Sequence, residues 1–589
     1  MMSKTPRIAV LLAAYQGRNW IEEQVDGEKT DQLSRSLSIS GLLAKLLVGR
    51  GIETPDDAKS FLEPKLAHLS DPFDLPGLEE ASLRIALALE LGEAILLVGD
   101  YDVDGITSTV IVEQTLLKLG ANTSHVIPRR KDEGYGLTSE VLERGLGMGN
   151  FKLVIALDCG TNSCLEADEL NDLGIDLIIV DHHQAKGELP KAIMLNPHLH
   201  PDTGEPWRNM STAGLAFKLV HGLLKHLRDK KAERAFEIDP KESLSLSAMG
   251  TIADLVPLIK ENRILARFGL KHLGKHPSPG LRALLDESGV NTDFPPESED
   301  VTFKLAPRIN ACGRLDDAEV ASSLMLKTDM AECRKLAKQM NAYNEERKEI
   351  EARLTEEALL QGEQRFSDRP AVVACGSGDA WNPGVVGIVA GKMSHSLGKA
   401  CIVLAEAEDG SLRGSGRGVK GVNLVDALSS CKDLLTHWGG HPVAVGLSLE
   451  KENLEAFTEA FLKSIEALTD EKAAIPTLKI SATIEQDELR PELLRELSAL
   501  APYGQENPEP ILALKGVRLA QKPRKVGTGN HFQFSVHNGS VSVSGIAWKM
   551  ADRIPPADRS LDLAFRLRWN FWNGQRHLQM ELQDWKESS

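Results

Sequence analysis

No two cysteines in the chain are spaced as CxxC, and the seven present (Cys159, Cys164, Cys312, Cys333, Cys375, Cys401, Cys431) are widely scattered. That excludes a disulfide framework or a zinc ribbon as the organising device and points to free thiols in a reducing compartment, the cytoplasm. No apolar run approaches the roughly 20 residues of a membrane-spanning helix. Residues 8–14, Ile-Ala-Val-Leu-Leu-Ala-Ala after Arg7, are at the short limit for a signal-peptide core and lack a cleavage site. There is no Walker A sequence with which to drive unwinding, no tandem repeat and no long low-complexity tract. Basic charge is in deficit as well. Lys and Arg number 68 against 85 Asp and Glu, a formal net charge of −17. Such a balance argues against a protein that coats nucleic acid indiscriminately, though a local basic patch stays compatible with acting on one.

What is present is the composition of a soluble globular protein, 42% hydrophobic and 26% charged. At 589 residues the chain implies three or four domains. Residues 7–25 resemble the opening strand and helix of a family-2 glycosyltransferase, but nothing after residue 30 continues that pattern. Residues 1–35 are therefore read as an N-terminal extension of unknown role, and 36–90 as a helical region. From 91 to about 200, strand and helix patterns alternate: Ile95–Val98, a helix from Thr107 or Ser108, His125–Ile127, a helix from 138, Leu153–Leu157, a helix near 165–173, and Ile175–Val180. The alternation predicts a doubly wound parallel sheet within a domain spanning 91–324. Residues 325–365 have amphipathic spacing that fits one long helix or a helical hairpin. A second α/β lobe spans 366–470. From 471 to 589, period-2 alternation as in Leu561-Asp-Leu-Ala-Phe-Arg-Leu-Arg-Trp predicts a small β-barrel. The fold class is thus α/β: two α/β lobes joined by a long helix, plus a C-terminal barrel.

The chemistry gathers after the buried-strand runs. Asp100, Asp102 and Asp104 follow Ile95–Val98 in Gly99-Asp-Tyr-Asp-Val-Asp-Gly105. Asp158 follows Leu153–Leu157, Asp181-His182-His183 follows Leu177–Val180, and Asp254 sits in Gly250-Thr-Ile-Ala-Asp-Leu. A single Asp at a strand end is usually a helix cap, and an acidic turn is usually just solvated. In a parallel sheet, however, the first three sites emerge on one edge. Their mutual repulsion there would be relieved by two divalent cations about 3.5–4 Å apart, a pair suited to in-line phosphoryl displacement. In the second lobe, Arg413-Gly-Ser-Gly-Arg-Gly-Val-Lys-Gly421 contains a GxGxxG. Its basic residues favour phosphate capture by glycine amides in an anion nest.

Taken together, Asp-Tyr-Asp-Val-Asp-Gly (100–105), Asp158, Asp181-His182-His183 and Asp254 resemble the DHH phosphoesterase superfamily, and Gly439-Gly440-His441 resembles the signature of its associated second domain. Lys304–Asp317, Trp381–Ile388 and Leu500–Gln505 narrow the likeness to the superfamily's single-stranded-DNA-specific exonucleases. The resemblance implies Mn²⁺ or Mg²⁺ as cofactor. Asp102 and Asp158 would hold one ion. Asp104, Asp158, His182 and Asp254 would hold the other, with His183 near the scissile phosphate. Many members carry a histidine where this chain has Val98, which makes Asp100 or water the substitute ligand. By the same resemblance Arg130, Ser415 and Arg417 grip a 5′ end, Arg308 and Arg314 face phosphates, and His441 lies in the substrate cleft. The C-terminal barrel becomes an OB-fold, with Arg518, Lys522, Arg524, Lys525, Arg566 and Arg568 interleaved among Phe532, Phe534, Trp548, Trp569 and Trp572. The implied activity is 5′→3′ degradation of single-stranded DNA to 5′-mononucleotides in recombination and repair, with a single-strand-binding protein and a helicase as partners. An oligoribonuclease, a cyclic-dinucleotide phosphodiesterase or a non-catalytic DNA-binding relative are the alternatives.

Overall fold

The computed structural model describes residues 18–129, 133–315, 318–378, 381–407, 409–468, 477–537, 539, 542–572 and 575–588. Its first lobe is built on a five-stranded, all-parallel sheet. In spatial order the strands are Asn122–Val126, Ala94–Val98, Phe151–Leu157, Asp176–Val180 and Ile193–Leu195. The chain steps outward from Ala94–Val98 to Asn122–Val126, then returns on the other side to Phe151–Leu157. The winding reverses between those two inner strands, and such a switch point opens a crevice beyond the strands' carboxyl ends. Both faces of the sheet are covered. Ile95 and Leu97 belong to one hydrophobic core and Leu96 and Val98 to another, as the period of two requires.

The helix that follows Ala94–Val98 begins earlier than the sequence suggests. It runs from Val103 to Leu119, because the Asp102 carboxylate caps it by accepting from the amides of Asp104 (2.9 Å) and Gly105 (3.1 Å). The acidic stretch is therefore half turn and half helix, with Asp104 already in the first helical turn. A Cβ at position 105 would lie 2.5 Å from the Asp100 carbonyl oxygen, so only glycine lets the chain fold back this tightly. The helices Thr212–Asp229 and Leu244–Ala253 pack against Val103–Leu119. Gly250 permits that approach, since a Cβ there would sit 2.5 Å from Asp104 Oδ1.

A single helix of 37 residues, Met330–Phe366, leaves the first lobe. At 1.5 Å per residue it is a rod of about 55 Å. Cys333, Ala337 and Met340 lie in the core of the first lobe, and Leu354, Ala358 and Phe366 in that of the second. The second lobe's sheet runs His437–His441, Ala444–Leu449, Leu412–Arg417, Ala400–Glu406, Ala371–Gly376, with only the last pair parallel. The glycine-rich segment expected to form an anion nest is a different structure. Leu412–Arg417 is an interior strand, paired on both sides, so its amides serve the ladder and its side chains do the presenting.

The C-terminal unit is a seven-stranded sheet, ordered Ala482–Thr483, Leu512–Val517, Leu561–Trp572, Gln575–Glu587, Ser542–Ala547, His531–His537, Arg524–Val526. Phe532, Phe534, Phe565 and Leu567 fill its core. Residues 18–35, read above as part of an extension, pack into this unit. Asn19–Glu22 pairs with Thr477–Ile480. Leu33 shares one core with Leu43, Leu46 and Leu47 of the next helix and with Leu493, Leu512 and Phe565 of the barrel. Arg263 ties this assembly to the first lobe. Almost fully buried, it lies 3.7 Å from the Phe61 ring centroid and donates to the carbonyls of Leu500 (2.8 Å) and Ala499 (3.0 Å).

A second tie is electrostatic. Arg568 of the barrel pairs with Glu509 at 2.7 Å and with Glu299 and Glu297 of the first lobe, while Arg566 lies 3.6 Å from Glu509. Both arginines, expected to line a DNA groove, are committed to carboxylates. Trp569 is half-buried under Arg576 (4.1 Å), and Trp548 remains exposed, edge-on to His531 at 5.0 Å.

Candidate active site

The switch-point crevice collects the acids. Asp104 is buried, and its two carboxylate oxygens accept from the amides of Thr212 (2.7 Å) and Ala213 (2.9 Å) at the start of a helix. Asp158 leaves its strand in a left-handed conformation, φ 66°, that an L-residue adopts only under constraint. Its Oδ1 accepts from the Thr212 hydroxyl at 2.8 Å. One helix start therefore orients two carboxylates. Asp181 is held by the Thr161 amide (3.1 Å) and receives the amides of His182 (2.8 Å) and His183 (3.2 Å) together with the His183 Nδ1 (2.7 Å). Asn196 donates to the His183 carbonyl at 2.8 Å and closes the turn.

His182 Nε2 lies 3.5 Å from Asp158 Oδ1, 3.5 Å from Asp254 Oδ2 and 3.9 Å from Asp104 Oδ2. This nitrogen is buried and finds no hydrogen-bond partner among the described residues. These separations are too long for strong hydrogen bonds. They suit donors that share an ion, because bonds of about 2.1 Å to Mg²⁺ put neighbouring ligand atoms roughly 3 to 3.5 Å apart. The donor set, carboxylates with one imidazole, also suits a hard or borderline divalent cation. Three clusters of convergent ligand atoms occur among the described residues: Asp104, His182 and Asp254; Asp100, Asp102 and Asp158; and Asp158, His182 and His183. The second cluster contains Asp100, the residue expected to stand in where Val98 replaces a histidine.

Charge is frustrated here. Burial raises the Asp158 carboxyl well above its usual range, with Asp104 adding to the effect. Burial and then Asp104 push Asp254 up to about 7. Burial disfavours the His182 cation, yet Asp254 and Asp104 outweigh it and hold the imidazole above its ordinary value. Without a cation the crevice retains protons, and a divalent ion would displace them. Burial likewise opposes the charge on His183, but the hydrogen bond to Asp181 prevails and pushes it up to about 9. Asp181 is held below the usual carboxylate range against its own burial, chiefly by that same bond.

Sequence reasoning missed several participants. The Tyr135 hydroxyl lies 3.2 Å from His183 Nε2 and 3.4 Å from the Asp158 carbonyl. It sits between two left-handed glycines, Gly134 and Gly136, on the loop after the Asn122–Val126 strand. That Gly-Tyr-Gly on the active edge of the sheet was the available signal. Thr212 gave none beyond the appearance of a helix start.

The expected substrate residues fall on both lobes. Arg308 donates to Asn341 Oδ1 (2.9 Å) and the Lys304 carbonyl (2.7 Å), and Arg314 reaches across to the Gly384 carbonyl (2.6 Å). Ser415 and Arg417 project from the interior strand beside Gly387; a Cβ there would lie 3.2 Å from Ser415 Oγ and 3.4 Å from an Arg417 Nη atom. Gly439, Gly440 and His441 lie on the edge strand, with His441 exposed. Arg130 lies outside the described residues. A cavity of about 190 Å³ at the lobe junction is lined by residues including Ala253, Asn310, Arg347 and Ile388.

This architecture, a parallel sheet with clustered acids at its switch point and a second α/β lobe facing it, is that of a DHH-type phosphoesterase. The DHH family N-terminal domain model matches residues 94–251, the DHHA1 domain 369–467 and the RecJ OB domain 480–584. The single-stranded-DNA-specific exonuclease RecJ of Bacillus subtilis is 35% identical over 570 residues, covering 96% of this chain and 70% of that protein. Its Escherichia coli counterpart is 34% identical, covering 92% and 94%. The Thermus thermophilus RecJ in complex with Mn²⁺ superposes with a TM-score of 0.82 at 29% identity, covering 97% of this chain and 80% of that one. The chain belongs to the RecJ family of exonucleases.

Proposed function

We propose that this exonuclease degrades single-stranded DNA from the 5′ end, releasing 5′-mononucleotides, in recombination and repair. The observation that carries this reading is the set of ligand clusters at one sheet edge, with Asp158 grouped with Asp100 and Asp102 and lying 3.5 Å from His182 of the cluster that holds Asp104 and Asp254. Asp100, Asp102 and Asp158 would hold one Mn²⁺ or Mg²⁺, and Asp104, Asp158, His182 and Asp254 the other. When bound, the two ions would activate a water and neutralise charge on the phosphoryl oxygens.

The chain's own groups do the rest. Asp181 fixes the His183 ring through Nδ1, leaving Nε2 beside the Tyr135 hydroxyl to donate to a phosphate oxygen. Arg417, with Ser415 and Arg130, would bind the terminal 5′-phosphate, and Arg308 and Arg314 the phosphates that follow. Water adds to phosphorus and the bond to the terminal nucleotide's 3′-oxygen breaks. The shortened strand thus carries a new 5′-phosphate for the next round. The barrel supports strand binding, through the exposed Trp548 and the basic Arg518–Lys525 segment rather than through Arg566 and Arg568. A single-strand-binding protein and a helicase are the partners this activity requires on duplex DNA. The seven free cysteines support a cytoplasmic setting.

Single strands labelled at the 5′ or the 3′ end, incubated with and without Mn²⁺, test the reading. The 5′ label should appear first as a mononucleotide, and only with the metal. Release of the 3′ label first, or preference for dinucleotides, would refute it.

A further inference from the structure

Tyr135 reaches the active edge without being packed into it. Its hydroxyl meets His183 Nε2 and the Asp158 carbonyl, yet the side chain is half exposed. Its ring neighbours, Tyr101 and His183, are both edge-on, with centroids 6.1 Å away. Gly134 and Gly136, at φ 82° and 77°, flank it. The loop passes so close to the turn after Asp158 that a Cβ at position 136 would lie 3.1 Å from Cys159 Cβ. Two left-handed glycines leave a backbone conformationally free. The hydroxyl is therefore only as well placed as the loop that carries it.

One side chain fixes that loop at its base. Arg144, on the helix Ser139–Leu146, turns a bidentate fork on Glu133, with Nε donating at 2.6 Å and Nη2 at 2.9 Å. Nη2 also donates to the Ile127 carbonyl (2.8 Å), just past the Asn122–Val126 strand. Nη1 donates to Glu319 (3.1 Å) at the start of the helix Glu319–Leu326. Glu133 Oε2 accepts from the Arg129 amide at 2.8 Å, and the Glu133 amide donates back to the Arg129 carbonyl at 2.8 Å. The Thr138 hydroxyl, which caps Arg144's own helix, donates to the Glu133 carbonyl at 3.3 Å. The Glu133 side chain is only 10% exposed, which spares the pair much of the screening that weakens surface ion pairs. A lysine cannot reproduce this planar fork.

We infer that Arg144 is a positioning residue for the cleavage reaction: by locking Glu133 between the end of a strand and the helix Ser139–Leu146, it sets Tyr135, two residues on, against His183 and Asp158. Tyr135 in turn steadies the His183 ring and the carbonyl of the left-handed Asp158. Arg144 belongs to none of the three ligand clusters, so it acts through Tyr135 and not on an ion. Through Glu319 the same guanidinium joins the Tyr135 loop to the segment that follows the helix carrying Arg308 and Arg314. The inference rests on the phosphate-binding role of His183 proposed above and adds the device that holds that imidazole in place.

The test compares steady-state cleavage of 5′-phosphorylated single strands by full-length Mn²⁺-loaded enzyme carrying Arg144→Lys, Glu133→Gln, Tyr135→Phe, or Tyr135→Phe combined with either of the others. Each single change should lower kcat about tenfold, the worth of one or two hydrogen bonds, with KM moving less than about twofold. Because Arg144 and Glu133 act through Tyr135, adding Tyr135→Phe to either should cost little more, whereas independent losses would multiply to about a hundredfold. In the metal-free protein, amide exchange at residues 133–138 should quicken in Arg144→Lys while the Leu153–Leu157 strand keeps its wild-type rate. Multiplying losses, a kcat untouched by Arg144→Lys, or exchange that quickens equally in loop and strand would each overturn the inference. Undiminished cleavage by His183→Ala would instead break the underlying role of His183, with the exchange measurement still deciding whether Arg144 sets the loop.

Discussion

Two places in the molecule crowd carboxylates together, and they resolve the crowding differently. At the seam between barrel and first lobe, Glu297, Glu299 and Glu509 surround Arg568, a cation built into the chain. At the sheet edge, Asp104, Asp158 and Asp254 surround only His182, with Asp100 and Asp102 alongside. An imidazole supplies at most one positive charge against several negative ones, so the balance must come from outside. The seam holds parts of the protein together, whereas the edge, on the function proposed above, would hold an ion. Counting acids would not separate the two; asking whether a guanidinium is already in the middle does.

The largest expected effect attacks the edge. Asp158→Ala removes a carboxylate that belongs to two of the three clusters and should reduce Mn²⁺-dependent cleavage on the order of a thousandfold or more, given the several kcal/mol that metal sites contribute. Binding of single strands in a gel-shift assay should persist. Next, Arg568→Met strips the seam of its cation and leaves the buried Glu509 carboxylate with only Arg566, 3.6 Å away, which should cost about 1–3 kcal/mol in denaturant unfolding. Mn²⁺ should still raise the melting temperature of that variant; loss of the Mn²⁺ effect would mean the two acid clusters are not independent. Thr212→Val deletes only the hydroxyl that orients Asp158, and supporting contacts of this kind are worth about 10–100-fold in activity or metal affinity. Titration of Mn²⁺ against activity should show that weakening, whereas an unchanged midpoint would make the 2.8 Å contact incidental.

The smallest effect concerns pH at the seam. Burial pushes Glu509 up to about 7 despite Arg568 and Arg566. A raised carboxyl keeps its proton longer in the folded state than in the unfolded one. Its contribution is therefore greatest below the unfolded value of 4.5 and is lost as pH climbs to about 7. Glu509→Gln should flatten the dependence of melting temperature on pH across that interval. An unaltered slope would place the titration elsewhere.

The edge was legible in the sequence because its residues follow buried strands directly. Runs such as Leu153–Leu157 stand out as apolar, and the next residue in a parallel sheet has little choice of location. Asp254 and Tyr135 lie farther from such runs. The first was reached through a family motif and the second not at all. Arg413–Gly421 misled because glycine lowers strand propensity. In Leu412–Arg417 pairing on both sides overrides that preference, and a Cβ on Gly414 would lie 2.3 Å from the Val403 carbonyl oxygen. Arg566 and Arg568 show the opposite limit. Their alternation was readable, but what neutralises them, Glu297, Glu299 and Glu509, comes from distant segments that no local pattern connects.

The shared core of Leu33, Leu43, Leu46 and Leu47 with Leu493, Leu512 and Phe565 joins the earliest described part of the chain to one of the last. On the ribosome those early helices must wait while more than roughly 400 residues are added, tens of seconds at about 5–20 residues per second. Through that interval the two α/β lobes can complete themselves while four leucines remain uncovered. Nascent chains are therefore most exposed to aggregation and chaperone capture just before the barrel emerges. A stop codon anywhere within the barrel should leave the first helices without a partner, damaging the opposite end of the polypeptide from the one it truncates.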